Sequence, residues 1–202
     1  MKESGTENPK RRGRRRADRW METESGNVLR RLFIKEDFMR IRHAEKQDLE
    51  ALNRIGEECY SPEERISAEE YEKRLNVYPE HFWILEEEGE IAAFINGPVI
   101  NQPKIEDDMF HNTAWHDEKG TWQAILGVNT SPRCQNRGYA SRIMERLIMD
   151  ARQQGRKGCV ITCKEALIPY YEKFGFQNWG VSASALAGQL WYDMGLTFEE
   201  EM

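Results

Sequence analysis

Apolar residues along the chain recur at two spacings, every second position and every third or fourth, and the switches between them outline most of the elements. Met39–His43 alternates as a short strand, with Ile41 and His43 on one side. Glu45–Tyr60 follows helical spacing through Leu49, Leu52, Ile55 and Cys59, and Ser61-Pro62 ends it. Ser67 is placed to cap a second helix, with Glu70 completing a capping box and Tyr71 and Leu75 forming the inward edge. His81–Glu86 and Glu90–Val99 are apolar runs of strand length around an acidic turn containing Gly89, which predicts a hairpin. Asn101–Lys119 has no period and is expected to be a long loop. Thr121–Val128 is a further strand, with Gly127 as a candidate bulge. From about Arg137 to Gln154, the residues Ala140, Ile143, Met144, Leu147, Ile148 and Ala151 fall on one helical stripe that Gly155 stops. Cys159–Cys163 is nearly continuous in apolar character, as in a strand covered on both faces, so strand, helix and strand form a βαβ unit. Pro169 suits a first helical turn and Gly175 a helix end. Trp179–Ser184 and Gln189–Met194 are expected to be a last pair of strands joined through Ala187-Gly188, with residues 195–202 a frayed acidic end.

Composition divides the chain in two. Residues 1–38 hold 11 of the 29 Lys and Arg but 7 of the 35 Asp and Glu, leaving 18 basic against 28 acidic residues in the remainder. The cluster Lys10-Arg11-Arg12-Gly13-Arg14-Arg15-Arg16 repels itself and has no apolar partner, so 1–38 is expected to be a disordered basic tail, or a leader upstream of a start at Met39 or Met21. The acidic remainder suits a cationic small molecule better than nucleic acid. Cys59, Cys134, Cys159 and Cys163 form no C-x-x-C pair and no secretory signal is visible, which is the pattern of reduced thiols in the cytoplasm. His43, His81, His111 and His116 lack metal-ligand spacing, so no metal is expected, and no apolar run is long enough to span a membrane.

The stretch with candidate chemistry is Val128–Ser141, VNTSPRCQNRGYAS. It passes from a strand through Pro132 to Gln135-Asn136-Arg137-Gly138-Tyr139-Ala140 at a helix start. The first N–H groups of a helix lack intrahelical partners and carry the positive end of its dipole, so such a turn can hold a diphosphate. Gly138 permits close approach of the backbone, Ala140 keeps the first turn slim, Ser141 offers a hydroxyl and Arg137 a charge. An ordinary loop entering an amphipathic helix has the same local pattern.

A second motif lies downstream in Pro169-Tyr170-Tyr171-Glu172-Lys173-Phe174-Gly175-Phe176. Together with Gln135–Ala140, it resembles the GNAT superfamily of acetyl-CoA-dependent N-acetyltransferases, and Cys163–Phe176 is most similar to the arylalkylamine (serotonin-type) branch. The resemblance covers about Met39–Met194. It implies an α/β (α+β) GNAT fold: a mixed, mostly antiparallel sheet of about six or seven strands with about four helices, its strands splayed at the acetyl-CoA site. It further implies acetyl-CoA as cosubstrate, with Leu126, Gly127 and Val128 beside the pantetheine arm. Gln135, Asn136, Arg137, Gly138, Tyr139, Ala140 and Ser141 would hold the diphosphate, and Tyr171 would be general acid to the CoA sulfur. Tyr170 and Phe174 are read as core residues.

The sequence departs from the animal arylalkylamine enzymes at one place. Those carry two histidines on the strand before the turn, where this chain has Trp122 and Ala124. The base is therefore open among His111, His116, Gln123 and a carboxylate acting through water. The function expected is acetyl transfer to a small-molecule primary amine by direct attack in a ternary complex, with no acetyl-enzyme on Cys134, Cys159 or Cys163. A non-catalytic acyl-CoA-binding module ranks second and nucleic-acid binding through the basic tail third. A homodimer is compatible with all three.

Overall fold

The computed structural model describes residues 39–199. The expected tail 1–38 therefore lies outside the described residues. The described residues form nine strands and four α-helices. In chain order these are β1 (Met39–His43), α1 (Leu49–Cys59), α2 (Ala68–Val77), β2 (Phe82–Glu87), β3 (Glu90–Asn96), β4 (Val99–Ile100), β5 (Trp122–Ile125), β6 (Gly127–Thr130), α3 (Tyr139–Gln153), β7 (Gly158–Cys163), α4 (Ile168–Glu172), β8 (Gln177–Val181) and β9 (Tyr192–Thr197).

The strands form two sheets, ordered β1-β2-β3-β6 and β4-β5-β7-β9-β8. All pairs are antiparallel except β5 with β7, which is the pair joined through α3 in the expected βαβ unit. Two long strands are each cut in two. β3 and β4 are interrupted at Gly97-Pro98, and β5 and β6 at Leu126, so counting each as one strand gives seven, within the six or seven that the resemblance implied. The N–H groups of Ala124 and Leu126 donate to the carbonyls of Pro98 and Asn96 across these breaks, at 3.0 and 2.9 Å, which keeps the two sheets in register with each other.

Alternation along β2 sorts its side chains onto two faces. Trp83 and Leu85 pack with Ile143, Met144 and Leu147 of α3, and the Trp83 indole N–H donates to Asp150 at 2.8 Å. Phe82 and Ile84 pack instead against Leu52 and Ile55 of α1 and Tyr71 and Leu75 of α2. The two helices on that face meet at Gly56, where a Cβ would come within 2.6 Å of the Tyr71 hydroxyl. The Ser67 capping box forms as expected, with the Glu70 N–H donating to Ser67 Oγ at 3.2 Å and the Ser67 N–H to Glu70 Oε2 at 2.8 Å. Glu88 and Gly89 both have positive φ, 54° and 82°, and close the β2–β3 hairpin in two residues.

The C-terminal boundary differs from expectation. β9 continues to Thr197, which pairs with Gly158, and Phe198 belongs to the core beneath α3, so the expected frayed end at 195 begins inside a strand. Gly195 lies inside β9. Its missing Cβ is what admits the Trp179 ring, which would approach that atom to 1.9 Å.

Candidate functional site

The break at Leu126 creates the site. β5 pairs with β7 as far as Ile125 opposite Ile161, and beyond that point the two lines of chain part company. β6 continues against β3, while Thr162 and Cys163 continue against β9. β6 is the edge of its sheet, so its second edge faces the opening. The expected bulge thus occurs one residue before Gly127. A Cβ on Gly127 would meet the amides of Asn96 and Asn129, both at 3.1 Å.

Between the parted strands lies a cavity of about 630 Å³. One end is the turn that enters α3. Asn136 and Gly138 both have positive φ, 61° and 78°, and Gly138 is the N-cap of the 15-residue helix. Nothing lies within 4 Å of a Cβ built on Gly138, so the backbone conformation rather than crowding selects glycine there. The N–H groups of this first turn have no carbonyl one turn earlier to receive them.

Of the residues named from the sequence, Leu126, Gly127, Val128, Gln135, Asn136, Gly138, Tyr139, Ala140, Ser141 and Tyr171 all line this one cavity. Arg137 does not. Its guanidinium turns away to Glu87 on β2, at 2.9 Å, where the Tyr139 hydroxyl also donates. The turn therefore offers backbone dipoles and not a full charge. Ser141 Oγ lies 3.4 Å from the Tyr170 hydroxyl and ties the helix start to α4. Tyr170 and Phe174 pack on the core, as expected, and Tyr170 also reaches the cavity.

Tyr171 is 4% exposed, with its ring 6.0 Å from that of Phe176 and 5.1 Å from that of Tyr170. Burial pushes its hydroxyl well above the ordinary tyrosine range, with neighbouring Tyr60 and Cys163 adding to the shift, so it stays protonated at neutral pH. The thiols of Cys59 and Cys163 at the cavity wall are also pushed up by burial, Cys163 to about 11, and so remain neutral.

None of the open base candidates His111, His116 and Gln123 lines the cavity. His111 sits against Glu70 at the surface, and Gln123 is buried, donating to the carbonyls of Gly97 and Ala124 at 2.9 and 2.8 Å. His116 accepts from the Val99 N–H on Nδ1 at 3.2 Å, which leaves the proton on Nε2, facing Glu118 at 3.5 Å. His81, His116 and Glu118 form the group among the described residues with metal-like spacing. Metal binding would need the Nε2 lone pair that this tautomer does not offer, and Arg156 already holds Glu118 at 2.6 Å. The cluster instead pins the long loop to the sheet.

Sequence reasoning missed several polar residues of the cavity, among them Tyr60, Glu64, Arg74, Asn96 and Lys164. Burial drives the Tyr60 hydroxyl up to about 12, partly offset by the Val128 backbone. Glu64 meets Lys164 across the opening at 2.5 Å. Arg74 was legible in part, since it falls one turn after Tyr71 and next to Leu75 on the buried stripe of α2, where a charge is out of place.

Among solved structures, the loading GNATL domain of CurA from Lyngbya majuscula is 19% identical and has a TM-score of 0.69, with 79% of this chain and 98% of that chain covered. The GphF GNAT-like decarboxylase in complex with isobutyryl-CoA is 20% identical, TM-score 0.66, covering 78% and 98%. YncA of Salmonella typhimurium, a putative acetyltransferase solved with acetyl-CoA, is 18% identical, TM-score 0.60, covering 81% and 96%. These likenesses show the fold. No curated protein matches the chain. The acetyltransferase (GNAT) family model matches residues 48–176, a span that holds the Gly138 turn, the parted strands and Tyr171, and this chain belongs to that family.

Proposed function

We propose that the protein transfers an acetyl group from acetyl-CoA to a small-molecule primary amine by direct attack within a ternary complex. The observation that carries this reading is the convergence on one cavity of an open strand edge, a glycine-capped helix N-terminus and a buried, protonated tyrosine. Solved relatives bound to acetyl-CoA and to CoA add support. The cavity fits the coenzyme by the chemistry of its donors. The helix N-terminus from Gly138 to Ser141, with Gln135 and Asn136, would hold the diphosphate, and the free edge of Leu126, Gly127 and Val128 would accompany the pantetheine arm. The coenzyme supplies the activated acetyl thioester.

The chain's own groups divide the remaining work. An amine with a pKa near that of lysine, about 10, must shed a proton before it attacks. Glu64 is the carboxylate on the cavity wall and would take that proton, directly or through water. Negative charge then builds on the acetyl oxygen. The Leu126 N–H is held by the Asn96 carbonyl within the sheet, so the donors that would turn to this charge are the Tyr60 hydroxyl and the Val128 N–H, released from Tyr60 as the coenzyme binds. Tyr171 would donate its proton to the departing thiolate. Cys134 and Cys163 have no covalent role.

Thiol release from acetyl-CoA across a panel of arylalkylamines, polyamines, aminoglycosides, amino acids and peptides tests the reading. Acceptor-dependent release supports it. Tight acetyl-CoA binding with no acceptor turned over would convert the protein to an acyl-CoA-binding module.

A further inference from the structure

The unmatched charge in the cavity belongs to Arg74. Its residue is 2% exposed, yet it lines the cavity beside the strand break. Nη1 donates to Asn96 Oδ1 at 2.8 Å and Nη2 to the Phe110 carbonyl at 2.7 Å. Both acceptors are neutral, and a guanidinium has more N–H donors than these two use. The nearby carboxylates are engaged elsewhere, Glu70 with His111 and Glu64 with Lys164. Glu64 and Lys164 cancel, so the cavity carries the positive charge of Arg74 although the unit as a whole is acidic.

A buried charge without a partner is costly, and a neutral side chain could clip Asn96 to Phe110 equally well. Asn96 is opposite Gly127 in the β3–β6 register, so Arg74 stands next to the residue at which the strands part. From this we infer that the cavity takes a carboxylate against Arg74, and that one of the two reacting molecules bears it. This rests on the acyl-transfer reading: a carboxylate on the acceptor narrows the substrate class, whereas one on the thioester changes the acyl group transferred. The carboxylate could come from the acceptor, an amino acid or another amine with an acid group, or from a carboxyacyl chain on the CoA thioester.

The test compares carboxylates with their neutral counterparts. One arm measures calorimetric binding of a panel of amino acids and ω-amino acids, each beside its carboxamide, to the protein with and without CoA. The other measures binding of malonyl-CoA and succinyl-CoA beside acetyl-CoA. One arm is expected to favour the carboxylate by about ten- to hundredfold, as for a hydrogen bond to a charged group. That preference should collapse in Arg74→Gln and recover in part in Arg74→Lys, with acetyl-CoA affinity little changed. The arm that responds identifies the source. A preference below about threefold in both arms, or one that survives Arg74→Gln intact, overturns the inference. Should Arg74→Gln fail to fold, the wild-type comparison and Arg74→Lys decide. Failure to bind any acyl-CoA would sink the acetyl-transfer reading instead, and the amino-acid arm on the protein alone would still decide the carboxylate.

Discussion

Gly138→Ala is the substitution whose consequence can be worked most directly from the backbone. Gly138 holds φ 78° and ψ 12° at the start of α3, two residues after Asn136 at φ 61°. An L-residue in that conformation costs roughly 1–2 kcal/mol. A Cβ there has no atom within 4 Å, so there is no packing term to add or subtract. The turn is exposed from Gln135 to Gly138, so in the absence of ligand no packing holds an alanine variant in this conformation. The strain is then felt by the coenzyme-bound conformer, and the acetyl-CoA Kd should rise by about 5- to 30-fold. Isothermal titration of wild type and variant measures this, with S-acetylpantetheine, which has no diphosphate, as the control that should bind both equally. A rigid turn would instead show the cost as a Tm lowered by a few degrees with Kd unchanged. Unchanged Kd and unchanged Tm, or an equal loss for S-acetylpantetheine, would refute the assignment of the turn to the diphosphate.

Four further outcomes are expected. Tyr171→Phe should lower kcat by about 10²-fold or more while leaving acetyl-CoA Kd as it is, because only the hydroxyl is lost; an unchanged rate would reject the tyrosine as acid. Glu64→Gln should slow turnover at neutral pH and recover as pH approaches the amine's own pKa, about 10, a pH–rate profile that a purely structural loss would not give. Cys134→Ala should retain turnover, and mass spectrometry should find no acetylated cysteine during reaction. Burial holds His81 and His116 neutral in the fold, their affinity for protons lowered, while the unfolded chain takes up protons near pH 6.5. Stability should therefore be intact above about pH 6.5 and fall below it, by up to about 1.4 kcal/mol per pH unit for each histidine. Denaturant titrations across pH check this, and a flat profile between pH 7 and 5 would contradict it.

Much of the fold was written in local chemistry. The Ser67 capping box, the Glu88-Gly89 hairpin turn, the α3 stripe and Pro169 in the first turn of α4 each depend on a few adjacent residues, and each occurs where the sequence places it. The last two strands were displaced by two or three residues because β8 is an exposed edge strand with little burial to give it a period. The place of Gly195 within β9 depends on Trp179 of the neighbouring strand, a contact no local pattern announces. In the site, the Gly138 turn was legible because a left-handed backbone position favours glycine, and Tyr171 through the motif that contains it. Arg137 was expected at the diphosphate because a cation suits a phosphate-type turn, whereas its pairing with Glu87 could not be read from the sequence. Tyr60, Glu64 and Asn96 come from a helix end, a loop and a strand end that only tertiary packing gathers.

The proposal for the site is tested most directly by a crystal structure of the protein with acetyl-CoA. The diphosphate should lie on the N–H groups from Gly138 to Ser141, the pantetheine along the free edge of β6, and the sulfur beside the Tyr171 hydroxyl. A coenzyme bound outside the parted strands, or one whose sulfur points away from Tyr171, would contradict it.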